Sequence, residues 1–231
     1  MTDCHAILFD LDGTLIDTTE LILYCFNHAW ETVCGQTHPS EAYIATMGIP
    51  LKDAMHRLLE STEGMRFGQI GEIRTAGFVE SLVKEYRLCN AANHDRLARP
   101  FPGMDQVMSA LRNRGYRLGV VTSKSREFAQ RGLRLCGLWE FLDVFVSMDD
   151  TSRHKPNPEP LLLALERLRI PSEQAVYVGD SCHDMQAGRA AGMRTVAALW
   201  GPIPRSELER EAPSLLADRP ETLLEIFKAT R

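Results

Sequence analysis

Residues Ala6–Thr14 read AILFDLDGT. Ala6–Phe9 is a continuous apolar run of β-type residues, too short for an independent helix, and it ends on an acid. A strand without polar alternation is covered on both faces, as strands of parallel sheets are. Asp10-Leu11-Asp12-Gly13-Thr14 then places two carboxylates two residues apart at the strand's carboxyl end, the edge of an open α/β sheet where ligands bind. Gly13 allows a tight turn beside them. A calcium-binding loop of the EF-hand type would need further acids or amides at alternate positions, whereas Thr14, Leu15 and Ile16 follow.

Similar apolar runs recur at Leu118–Val121, Val144–Val146, Ala175–Val178 and Thr195–Leu199. Helical spacing separates them: Met104, Val107, Met108 and Leu111 before Gly115; Phe128, Gly132 and Leu133 before Gly137; Leu161, Leu162, Leu165 and Leu168 before Pro171. Strand and helix alternate, which predicts the α/β class with a Rossmann-like, doubly wound parallel sheet.

The stretch from Thr18 to Cys89 breaks the alternation. Ile22, Cys25, Phe26, Ala29, Trp30 and Val33 share one helical face, as do Leu51, Ala54, Met55, Leu58 and Leu59, and a third run covers Phe67–Leu88 with Gly68, Gly71 and Gly77 inside it. The expected organisation is an α/β core of residues 1–17 and 90–231 and an all-helical insertion of residues 18–89, returning through the polar segment Asn90–Pro102. The tail, Leu215–Lys228, adds one more strand and a helix starting near Pro220.

Composition narrows the function classes. At about 150 residues per domain, 231 residues hold one to two domains. The 26 basic against 31 acidic residues leave a charge of −5, which argues against nucleic-acid binding by bulk charge, and 44% apolar residues suffice for a core. The longest apolar runs, such as Leu21–Phe26, fall far short of the roughly 18 residues of a membrane span, so no membrane partner is expected. MTDCHAILFD carries acids where a secretory signal carries basic residues, which makes the cytoplasm the expected location. The six cysteines form no C-x-x-C pair and the histidines no ligand cluster, so free thiols are expected; Cys182 is read as a spectator or packing residue.

Three other strand ends carry polar groups suited to phosphate. Thr122-Ser123-Lys124 follows Val121 and offers a hydroxyl with backbone N–H groups. Lys155 lies between polar turns in Asp149–Pro156, and Gly179-Asp180-Ser181-Cys182-His183-Asp184 places two acids four residues apart where a helix opens. Taken singly, Thr122 could cap a helix and Lys155 could be solvated; four such clusters in order on one sheet point to one crevice. Trp30 and Phe26 read as helical core, and Trp200 as either core or ligand contact.

These motifs resemble those of the haloacid dehalogenase superfamily: Asp10–Thr14 its first, Thr122 its second, Lys155 its third, and Gly179–Asp184 its fourth. The resemblance spans essentially the whole chain and implies that the helical insertion is a mobile cap. It also implies Mg²⁺ as cofactor, with Asp10 and Asp180 as carboxylate ligands, Asp12 ligating through its backbone carbonyl, and Asp184 acting through water or by orienting the site. Asp10 is then the nucleophile and Asp12 the acid that protonates the leaving oxygen. Lys155 holds Asp10 and the phosphate, while Thr122 and the N–H groups of Leu11 and Ser123 bind the transferring oxygens. Thr46-Met47-Gly48-Ile49-Pro50-Leu51-Lys52 resembles the family's substrate-specificity loop, in which Gly48, Ile49, Pro50 and Lys52 are the candidate residues. Asp149–Leu161 with Gly179–Met193 is similar to the phosphoglycolate phosphatase and bacterial pyrophosphatase branch. The implied activity is a phosphatase for a small phosphorylated metabolite, with 2-phosphoglycolate first and pyrophosphate next. A sugar-phosphate mutase and a catalytically silent binding protein are the alternatives.

Overall fold

A computed structural model of the chain describes residues 4–61 and 72–228. In chain order its elements begin with β1 (Ala6–Phe9), β2 (Ile16–Asp17), α1 (Thr19–Cys34), α2 (Ser40–Ile44), α3 (Leu51–Glu60), α4 (Glu72–Leu97) and β3 (Arg99–Pro100). They continue with α5 (Met104–Asn113), β4 (Arg117–Val121), α6 (Arg126–Leu135), β5 (Val144–Val146), α7 (Glu159–Leu168) and β6 (Ala175–Gly179). The last are α8 (Cys182–Ala190), β7 (Arg194–Ala198), α9 (Arg205–Arg210), β8 (Leu215–Ala217) and α10 (Thr222–Ile226). The chain divides into two compact units, Met1–Asp17 with Ala98–Arg231, and Thr18–Leu97.

The first unit is the α/β core. Its six-stranded sheet has the order β5-β4-β1-β6-β7-β8, and every neighbouring pair is parallel. β1 shows why the sheet is doubly wound. Ile7 and Phe9 enter one core with Met104, Val107, Met108 and Leu111 of α5, whereas Ala6 and Leu8 enter the other with Leu161, Ala164 and Leu165 of α7. Side chains alternate between faces with period two, so a four-residue apolar strand feeds both cores. At about 25 cal/mol per Å² of apolar surface removed from water, such burial is the main stabilising term.

The second unit is helical. Phe26 stacks on Tyr43 with ring centroids 4.9 Å apart and planes 11° apart, and Trp30 is fully buried in the same cluster. Phe26 and Trp30 of α1 therefore serve as core, whereas Tyr24 of the same helix is exposed. The expected boundary at residue 89 needs correction, because α4 continues to Leu97 and the unit ends there. Asn90–Leu97 is polar but contains neither proline nor glycine, and Asn93 Nδ2 donates to Cys89 O at 2.9 Å within the helix. Nothing halts the helix before Pro100, whose ring restricts the residue before it as well. The antiparallel pair β2–β3 joins Asp17 to Arg99, where the chain leaves the core and returns to it. Residues 67–71 of the expected third helical run, including Gly68 and Gly71, lie outside the described residues, as do the first three residues of the chain. All six cysteines are free thiols.

Candidate active site

The sheet order brings the sequence motifs together. β1 pairs with β4 on one side and β6 on the other, so Asp10, Thr122 and Asp180 leave adjacent strands at one edge. Asp10 N–H donates to Val178 O at 2.9 Å, which extends the β1–β6 ladder by one residue and fixes where the Asp10 side chain begins. Lys155 comes from the loop between β5 and α7. That loop is pinned at its start by Asp150, which accepts from Ser147 N–H at 2.8 Å and from Arg126 Nη2 at 2.6 Å. Asp184 stands in the first turn of α8, where Ser181 Oγ accepts from Asp184 N–H and Ser181 N–H donates to the Asp184 carboxylate in return.

Lys155 is the hub. Its Nζ donates to Asp10 Oδ1 at 2.8 Å, to Asp184 Oδ1 at 2.6 Å and to Tyr177 Oη at 3.0 Å, using all three ammonium hydrogens. Lys155 is not solvated, since it is only 3% exposed. Burial works against its charge, but the Asp10 and Asp184 carboxylates outweigh burial and raise its pKa. Breaking a buried pair by removing one partner costs about 3–5 kcal/mol, so the hub is held as a unit.

Carboxylate oxygens of Asp10, Asp180 and Asp184 lie within 4.8 Å of one another, and all three residues are buried. Burial, only partly offset by Lys155, pushes Asp10 up to about 7, with Asp184 and Asp12 adding repulsion. Asp180 is raised well above the usual carboxylate range by burial first, then by Asp10 and Asp184. Repulsion of this kind marks a place for a cation. The oxygens are not equivalent. Asp184 is fully engaged, with Oδ1 on Lys155 and Tyr177 and Oδ2 on Ser181 N–H and Oγ. Asp10 and Asp180 each use only Oδ1, toward Lys155 and Thr14 Oγ1 respectively, and neither Oδ2 receives a hydrogen bond among the described residues. An all-oxygen donor set with two such carboxylate oxygens fits a hard divalent cation. Gly13 and Gly201 close around Asp180: a Cβ at Gly13, which has φ +81°, would lie 2.2 Å from Asp180 Oδ2, and one at Gly201 2.5 Å from its Cβ.

Asp12 is placed differently from Asp10. Its Oδ1 accepts from Lys124 Nζ at 2.7 Å, in a pair partly open to solvent. Thr122 does not cap α6, whose preceding residue is Ser125; instead its Oγ1 accepts from Lys124 N–H at 3.1 Å. Leu11 O accepts the N–H groups of Leu15 and Ile16, while the Leu11 N–H has no acceptor among the described residues and remains available to a ligand. Ser123, partly buried, follows Thr122 in the loop after β4. Trp200 donates from Nε1 to Thr14 O at 2.9 Å and packs beside Phe101, so it braces the turn after β1. Cys182 Sγ lies 3.9 Å from Glu207 O, away from the acids' hydrogen bonds. Gly48, Ile49, Pro50 and Lys52 belong to the helical unit. Gly48 adopts φ +91°, Ile49 packs half-buried against the helical core, Pro50 precedes α3, and Lys52 is an exposed residue of its first turn.

Sequence reasoning missed Tyr177, Thr14, Ser181, Lys124 and Gly201 as parts of the site. Tyr177 sits inside a strand that reads as plain core, and its hydroxyl in a buried apolar run was the available signal, because a buried phenol needs a partner. Thr14 and Lys124 lay within quoted motifs but without an assigned partner.

A family model described as haloacid dehalogenase-like hydrolase matches residues 7–198. A protein of Caldanaerobacter subterraneus subsp. tengcongensis, provisionally named a pyrophosphatase, is 38% identical over 223 residues, which are 96% of this chain and 94% of its own. A pyrophosphatase of Halalkalibacterium halodurans is 39% identical over 193 residues, 84% of this chain and 82% of its own. A crystal structure from Haemophilus somnus, described as a predicted phosphoglycolate phosphatase, covers 99% of this chain and 100% of its own with a TM-score of 0.88; at 22% identity the likeness is one of fold.

Proposed function

The chain belongs to the haloacid dehalogenase-like hydrolases, and from that premise we propose that it hydrolyses inorganic pyrophosphate with Mg²⁺ as cofactor, carrying the phosphoryl group on Asp10. The observation that carries the substrate is the 38–39% identity to proteins named pyrophosphatases, against 22% to the phosphoglycolate phosphatase-like fold neighbour. The order expected from the motifs alone, phosphoglycolate before pyrophosphate, is thereby reversed.

With all four ionised, the carboxylates of Asp10, Asp12, Asp180 and Asp184 against the ammonium groups of Lys155 and Lys124 sum to −2. Bound Mg²⁺ would be held by Asp10 and Asp180, with Asp184 orienting the site, and would supply the positive charge that lets a phosphate anion approach a carboxylate. One Asp10 carboxylate oxygen attacks phosphorus while the Lys155 contact at Oδ1 restrains the side chain. The bond from phosphorus to the bridging oxygen breaks as the Asp10 oxygen bonds to phosphorus, and Asp12 gives its proton to the departing phosphate. Asp12 then takes a proton from water, which attacks the aspartyl-phosphate and restores both acids. Thr122 Oγ1 and the Leu11 and Ser123 N–H groups bind the oxygens on the transferring phosphorus. The helical unit carries the candidate specificity residues Gly48, Ile49, Pro50 and Lys52.

The test is kcat/KM measured for pyrophosphate, 2-phosphoglycolate and p-nitrophenyl phosphate with Mg²⁺. Pyrophosphate should lead. A higher value for phosphoglycolate rejects the substrate, and no phosphate release from any of the three rejects the enzyme.

A further inference from the structure

Two lysines each hold one acid of the Asp10-Leu11-Asp12 stretch, and they do so in different surroundings. The Lys155–Asp10 pair is sealed, at 1% and 4% side-chain exposure, whereas the Lys124–Asp12 pair stands at 13% and 20%. Both backbones of the second pair are anchored. Lys124 N–H donates to Thr122 Oγ1 at 3.1 Å and Lys124 O accepts from Met148 N–H at 3.1 Å, which ties the lysine to the loop after β4 and to the end of β5. On the other side, Leu11 O accepts from Leu15 N–H at 2.9 Å and Ile16 N–H at 3.0 Å, which closes the turn that carries Asp12. With both anchor points fixed, the 2.7 Å contact selects one orientation of the Asp12 carboxylate. An ion pair reached by solvent contributes little net stability and opens readily, unlike the sealed one.

We propose that Lys124 is the positioning residue of Asp12: it sets the direction of the Asp12 carboxylate in the free protein and yields its ammonium to an anionic leaving group as substrate binds, whereupon the released carboxylate takes up a proton from solvent and gives it to the departing oxygen. The proposal rests on the reading of Asp12 as the proton donor. It adds a selection to that reading. A departing phosphate is charged at the atoms beside the breaking bond and can draw the ammonium from Asp12, and a poor leaving group then meets an acid already aimed by the same lysine. An aryl oxide that departs without a proton needs neither function.

The experiment compares single-turnover phosphorylation rates of the full chain with Mg²⁺ for pyrophosphate, 2-phosphoglycolate and p-nitrophenyl phosphate. The variants are Lys124→Met, Lys124→Arg, Asp12→Asn and the double variant Asp12→Asn/Lys124→Met. Lys124→Met should slow phosphorylation by pyrophosphate and phosphoglycolate about a hundredfold, the cost of misdirecting a reacting group, and by p-nitrophenyl phosphate less than about threefold. Lys124→Arg should restore most of that loss, because a guanidinium can still reach the carboxylate. In the Asp12→Asn background, Lys124→Met should cost nothing further on phosphoglycolate, since a residue that acts only through Asp12 is silent without it. Equal losses on all three substrates, or losses that multiply with those of Asp12→Asn, overturn the proposal. If Asp12→Asn alone falls equally on good and poor leaving groups, the proton-donor reading fails and the role of Lys124 falls with it. If Asp12→Asn shows the leaving-group dependence and Lys124→Met does not, the role of Lys124 alone is rejected.

Discussion

The hydroxyl of Tyr177 stands 3.0 Å from Lys155 Nζ, and from inside the sheet it also reaches Val121 O at 2.9 Å and Asp184 Oδ1 at 3.1 Å. It accepts from the lysine and has one proton to give, shared between the carbonyl and the carboxylate. Burial raises the tyrosine's pKa well above its usual value, with Asp184 adding to the effect, so the group stays a neutral phenol. The interior of β6 thus holds the lysine that aims Asp10.

Tyr177→Phe removes one oxygen and keeps the ring. The Val121 carbonyl and one ammonium hydrogen lose their partner, which should destabilise the fold by about 1–3 kcal/mol. Turnover should fall by about tenfold, a part of the ~100-fold that a 1 Å misplacement costs. Thermal unfolding and kcat measured together check this; no change in either would make Tyr177 a bystander.

Asp10→Asn should lower turnover by more than about a hundredfold, because an amide is a poor nucleophile and one charged ligand is lost. The variant should still unfold cooperatively, since the side chain keeps its shape. Near-normal kcat in a folded variant excludes Asp10 as the attacking group.

Without metal, stability should decline as pH rises. Asp10 has its pKa raised from 3.8 to about 7 in the folded protein, and Asp180 is raised as well. The folded state therefore binds these protons more tightly than the unfolded chain does. Their contribution is full below about 3.8 and is lost as pH climbs through about 7. Mg²⁺ should offset the loss by binding the ionised acids, so the rise in Tm on adding Mg²⁺ to chelator-treated protein should be larger at pH 8 than at pH 5. An equal rise at both would separate metal binding from these acids. The chelated protein should be inactive at either pH.

Gly201→Ala should weaken metal binding without replacing a ligand. The added Cβ would fall 2.5 Å from Asp180 Cβ, so the carboxylate must move. The Mg²⁺ concentration for half-maximal activity should rise by about tenfold, the low end of the effect of disturbing a ligand's support. An unchanged Mg²⁺ dependence would show that Asp180 adjusts or does not bind the ion.

The elements and the acids were legible in the sequence because their signals are local. A four-residue apolar run, a 3.6-residue spacing and a D-x-D-G turn each occupy a few neighbouring positions, and β1, α5, α7 and the Asp10–Thr14 turn stand where those signals put them. The end of α4 was misplaced because polarity resembles a linker, while only Pro100 has the stereochemistry to end a helix. Pairing between charges is another matter. Lys155 reaches Asp10 across 145 positions and Lys124 reaches Asp12 across 112, and either lysine has the charge to serve either acid. Which one does is decided by the placement of β1 between β4 and β6, and by the closed loops that bring each ammonium to the sheet edge at its own height and burial. Those are properties of long-range strand pairing, which no local period records, and they turn two like carboxylates two residues apart into one sealed against Lys155 and one open beside Lys124.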